Sequence, residues 1–97
     1  MRKALDMGVI KSAIFLILER FPDRKDLVRR LFSANADFRI LCEDFRQCSE
    51  ALQYWNQSTK TDAPSRRKEY RALQRELADE IDRFLKEADS RLLIRED

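Results

Sequence analysis

The sequence predicts an all-α protein. Its centre is an antiparallel helical hairpin over about residues 36–57 and 66–95, with two shorter N-terminal helices packed at its base. Three observations predict this. The 97 residues include one Gly and two Pro, too few chain breakers for many short strands. Apolar residues make up 43% and charged residues 39%, which suits long helices or a coiled coil and is too apolar for a disordered chain. Two long stretches carry apolar residues at helical spacing, separated by one polar loop.

The first helix is expected over about Val9–Phe21. Its centre, AIFLIL, is apolar all round and so needs cover on more than one side. The N-terminus imitates a signal peptide, with Arg2 and Lys3 before an apolar run. Asp6 and Lys11 interrupt it, the pure run extends only from Ala13 to Leu18, and no small-residue cleavage site follows. A membrane span needs about 20 apolar residues. The expectation is a soluble, unprocessed, cytoplasmic chain with no membrane partner.

Pro22 pushes Phe21 out of helical geometry, and a second helix should start at Pro22 or Asp23, with Asp23 as cap. Leu27, Val28, Leu31 and Phe32 form its apolar face. Asn35 either caps the third helix or ends the second in a left-handed conformation.

The third helix, about Ala36–Gln57, carries Phe38, Leu41, Phe45, Cys48, Leu52 and Trp55 at spacings 3, 4, 3, 4, 3. Arg39–Glu43 and Arg46–Glu50 are i,i+4 pairs on its wet side. Ser58–Ser65 reads as the loop. The fourth helix, about Arg66–Arg95, has the stripe Tyr70, Leu73, Leu77, Ile81, Phe84, Ala88, Leu92, an eleven-residue period. Arg75–Asp79, Asp79–Arg83, Asp82–Lys86, Arg83–Glu87 and Glu87–Arg91 ladder its solvent side.

Facing positions in an antiparallel pair have residue numbers with a constant total. Phe38 with Phe84, Leu41 with Ile81, Phe45 with Leu77 and Leu52 with Tyr70 all total 122, and Cys48 with Leu73 totals 121. Helix four outruns helix three, leaving Ala88, Leu92, Leu93 and Ile94 unmatched. Together with AIFLIL this is more apolar surface than one hairpin end absorbs, and such surface marks an interface. A homodimer is expected, through Ile10, Ile14, Phe15, Ile17, Leu18, Leu92 and Leu93. The whole chain, 1–97, reads as one helical domain: N-terminal helices over 1–34, hairpin over 35–97.

The runs FPDRKDLVRRLFSANADFRILCEDF and EYRALQRELADEIDRFL resemble the YdcH-like small bacterial proteins. The matching residues are Phe21, Pro22, Asp26, Leu27, Leu31, Asn35, Phe38, Phe45 and the stretch Leu73–Leu85, within about residues 21–88. The apolar first helix and the longer middle loop depart from the family pattern. The resemblance implies a cytosolic helical hairpin and carries over no catalytic or binding residue.

Catalytic chemistry has little to stand on. There is no His, no Gly-rich phosphate loop and no Cys-x-x-Cys. Glu76, Asp79, Glu80 and Asp82 lack the His that bundle metal sites use. The expectation is a non-enzyme without metal or cofactor. Cys42 and Cys48, six apart on one helix, lie about 9 Å apart by helix rise, beyond the ~7 Å reach of a disulfide. Cys48 belongs to the stripe; Cys42 flanks it and is expected to be partly exposed.

Two functions remain. The first is a protein-interaction or self-assembly module. The second is a nucleic-acid-associated protein using the hairpin tip, where Lys60, Arg66, Arg67, Lys68 and Arg71 gather near Trp55. The net charge of +2 lacks the basic excess of a non-specific nucleic-acid binder. Arg24, Lys25, Arg29 and Arg30 offer a lesser basic patch for an acidic partner.

Overall fold

The computed structural model describes residues 12–96, with side chains described as far as Arg91. Within them the chain forms α1 (Ala13–Arg20), a 3-10 turn (Pro22–Arg24), α2 (Lys25–Ala34), α3 (Ala36–Gln57) and α4 (Ala63–Glu96). No helix among the described residues is long and apolar enough to cross a membrane.

Each boundary has a local cause. Ser12 caps α1, its Oγ accepting from the Phe15 N–H at 3.4 Å. The expected start of this helix at Val9 lies outside the described residues. Phe21, at φ −124° and ψ 67°, ends α1 ahead of Pro22. Pro22 opens a 3-10 turn rather than the α-helix itself, and α2 follows without a side-chain cap, so Asp23 does not cap it. Asn35 is extended (φ −125°, ψ 112°), and its Oδ1 accepts from the Phe38 N–H at 3.0 Å, so it caps α3 and is not left-handed.

α4 begins three residues before the expected Arg66. Pro64 falls in its first turn, where the missing N–H has no helical partner to lose, and the Arg66 N–H closes that turn on the Asp62 carbonyl at 3.0 Å. The expected loop over 58–65 therefore shortens to 58–62.

α3 and α4 pack on each other. The Phe38 and Phe84 rings meet edge to face at 5.2 Å. Gln74 donates to Ser49 at 3.0 Å, and the Arg67 guanidinium donates to the Trp55 carbonyl at 3.1 Å. Residue numbers thus rise along α3 as they fall along α4. α1 and α2 pack on α3 and on each other. Arg24 reaches α4, ion-pairing with Asp89 and donating to the Leu85 carbonyl.

One buried cluster unites the four helices: Ala13 and Ile17, Leu27 and Val28, Phe38, Cys42 and Phe45, then Ala78, Ile81, Leu85 and Ala88. The buried row on α4 has spacings 3, 4, 3, a heptad seam in place of the expected eleven-residue stripe. Leu85 and Asp89 face Arg24, so the N-terminal elements draw that flank of α4 inward. Ala78 and Leu85 become core, and Leu77 and Phe84 are left half-buried. On α3 the same pull buries Cys42 completely and leaves Leu41 half-buried, the reverse of the expected order.

Surface ion pairs are fewer than the sequence spacing suggests. Among the described residues Arg46–Glu50, Asp82–Lys86 and Glu87–Arg91 form as expected. Arg39 turns away from Glu43 and donates instead to the Phe32 and Ser33 carbonyls, at 2.7 and 3.0 Å, closing the end of α2. Glu43 pairs with Arg46, whose hydrogen bond holds its carboxyl below the usual range.

Candidate protein-interaction surface

Three regions bear on function: the tip where α3 meets α4, the outer side of α1, and the open side of the α3–α4 pair.

At the tip the predicted basic residues do not converge. The Lys60 ammonium sits 5.6 Å from the Tyr54 ring centre and 5.9 Å from that of Trp55, and it donates to the Tyr54 hydroxyl at 3.0 Å. That hydroxyl is the main reason its pKa is raised. The two rings pack edge to face at 4.9 Å. Arg66 pairs with Glu69 at 3.1 Å and Asp62 at 3.6 Å, and the hydrogen bond it donates to Glu69 raises its pKa. Arg67 is spent on the Trp55 carbonyl, at the end of α3 where a cation satisfies orphan carbonyls. Lys68 and Arg71 are exposed and make no ion pair among the described residues. Three of the five predicted basic residues therefore hold the turn together.

The predicted dimer residues divide likewise. Ile10, Leu92 and Leu93 lie outside the described residues or side chains. Ile17 is fully buried in its own chain, because α2 and α3 close over it, and it has no surface to give a partner. Ile14 and Leu18 are half-buried against the core. Phe15 stands 49% exposed on the outer side of α1. In the lesser patch Arg24 is paired with Asp89 and Arg29 lies 3.7 Å from Asp26, while Lys25 and Arg30 face solvent.

The third region was not singled out in the sequence. α1 and α2 cover one side of the α3–α4 pair, and the opposite side keeps a groove of about 390 Å³. Cys48 and Ala51 of α3 and Tyr70, Leu73 and Leu77 of α4 line it. Cys48 and Ala51 are small, whereas Tyr70, Leu73 and Leu77 across from them on α4 are large. Leu73 is 40% exposed although it sits at a helix–helix junction. Phe84, one heptad beyond Leu77, and Leu41 extend the apolar strip, both half-buried.

A signal for this groove exists in the sequence. Leu41–Cys42, Leu77–Ala78 and Phe84–Leu85 are adjacent apolar pairs. Neighbours on a helix point about 100° apart, so each pair widens the stripe beyond what one partner helix covers.

The groove is a surface feature between two helices. It is open, apolar at its base, and without convergent reactive groups. Cys48 on its floor is a poor nucleophile: it is buried, burial raises its pKa, and its thiol donates to the Tyr70 carbonyl at 3.4 Å. Cys42 is more inert still, its thiol pushed up to about 12 by burial and then by Glu43. Among the described residues no group of three or more metal-ligating side chains is placed to hold a metal ion. No family model, no curated protein and no solved structure matches the chain.

Proposed function

We propose that this protein is a non-enzymatic, cytoplasmic interaction module. In this reading α3 and α4 are the arms of a helical hairpin, α1 and α2 brace one side, and the open side receives a helix of another protein. The observation that carries the reading is Leu73: a large apolar residue, 40% exposed, beside a groove floored by small residues on the unbraced side. Exposed apolar surface backed by rigid helices is the usual form of a helix-in-groove site. The resemblance to the YdcH-like proteins fits this reading and adds no residue to it.

Site-directed photocrosslinking in living cells tests it. A photoreactive residue in place of Leu73 is expected to give discrete crosslinked products that the same residue in place of Lys86 does not. Identical patterns from the two positions would refute the reading.

Homodimerisation through α1 and the end of α4 is the second reading, favoured by the exposed Phe15. Light scattering on a sizing column, with reductant, tests it: a dimer that Phe15→Asp splits supports it, and a monomer at all concentrations refutes it.

A further inference from the structure

The open groove has a charged border in which carboxylates outnumber cations. Glu76, Glu80 and Glu87 follow Leu73, Leu77 and Phe84 by three residues each, so a row of carboxylates runs beside the apolar row on the outer edge of α4. On the opposite edge Asp44 of α3 lines the groove directly. Asp44, Glu76 and Glu80 are exposed and make no ion pair among the described residues. Arg83 shares a shallow depression with Glu76, Asp79 and Glu80, leaving more carboxylates than guanidinium there. Glu87 meets Arg91 at 3.8 Å, too loosely to neutralise the row.

Resting on the reading of this side as a docking groove, we infer that its occupant is a cationic amphipathic helix: one apolar row for the groove, flanked by Lys or Arg that meet Asp44 on one border and Glu76 and Glu80 on the other. Charge complementarity decides between occupants. A second copy seated symmetrically on the same face would place the middle of α4 against itself. Glu76 and Glu80 would then approach the same carboxylates of the other chain, which opposes association. A helix with basic flanks meets no such opposition, and its cations find carboxylates that have no partner at present.

The probe is a designed, fluorescently labelled peptide about five turns long, with Leu at i, i+3, i+4 and i+7 repeats and Lys on both flanks. Two twins carry Gln or Glu in place of Lys. Anisotropy is read against the full-length protein. The Lys peptide is expected to bind at least about tenfold tighter than the Gln twin at low salt, with the gap narrowing as salt screens the border. Glu76→Lys with Glu80→Lys should remove that advantage, and Leu73→Asp should abolish binding of all three; these exposed positions leave the fold intact by circular dichroism. If the Gln twin binds as well as the Lys peptide and the double Lys variant changes nothing, the inference about charge is overturned while the groove stands. If none of the three peptides binds, or Leu73→Asp leaves binding unchanged, the groove reading falls with it.

Discussion

Replacing Leu85 by Ala removes a side chain that is fully buried in the core where α1 and α2 meet the α3–α4 pair. A fully buried Leu→Ala change costs about 2–5 kcal/mol, more where the surroundings cannot close the gap. Here four helices and the Arg24 hydrogen bond to the Leu85 carbonyl fix those surroundings, so about 3–4 kcal/mol is expected. A domain of this size has roughly 5–15 kcal/mol in all. The melting temperature should fall by roughly 15–25 °C. Leu73→Ala is the control: at 40% exposure it loses a fraction of the transfer energy and leaves no closed cavity, so about 1 kcal/mol is expected. Urea titration followed by circular dichroism measures both, with an unchanged denaturant slope showing that the two variants unfold alike. The eleven-residue stripe makes the opposite prediction, since it counts Leu73 as seam and omits Leu85. Equal costs at the two positions, or a cost under about 1 kcal/mol at Leu85, would refute the heptad seam.

Asn35→Ala should cost about 1 kcal/mol by uncapping α3, and Asn35→Gly only a few tenths; urea midpoints for the pair separate the cap from general helix weakening. Cys42 ties stability to alkaline pH. Its thiol keeps its proton in the folded chain up to about 12 but loses it near 9 when unfolded, so stability should fall as pH rises from 9 towards 12. Cys42→Val should flatten that part of the profile, and an unchanged slope would show that the thiol is not held in the core. Single-stranded nucleic acid should bind weakly and only at low salt, because Arg66 and Arg67 are engaged within the tip. Tight binding at physiological salt that Lys68→Ala with Arg71→Ala abolishes would overturn that expectation.

The helices were legible where a single residue type settles a boundary. Asn35 opens α3 and the polar run after Gln57 closes it, and both ends fell where the sequence placed them. Pro64 misled because one residue serves two grammars: it breaks a helix interior, yet it is welcome in a first turn. The choice between neighbouring apolar rows was not legible. Leu41 or Cys42, and Leu77 or Ala78, are equivalent on a helical wheel drawn for one partner. The selection came from a third body, the α1–α2 brace with Arg24 on Leu85 and Asp89. The same reason hid the candidate groove. On a wheel drawn for one partner Leu73 and Leu77 belong to the seam, and Glu76 and Glu80 beside them belong neither to that stripe nor to the ion-pair ladder.

The uneven brace also sets the order in which the molecule comes apart. Near Phe38 and Leu85 four helices share one buried cluster, whereas towards the tip Cys48, Leu52 and Ala63 are buried outside that cluster. Amide protons of α3 and α4 should therefore exchange by whole-molecule unfolding near the brace and by cheaper local opening near the turn. The groove lies at the looser end. A helix seated there would clasp the two arms where they part most readily, and its arrival would register as slowed exchange around Ala51 and Tyr70 well before any change at Leu85.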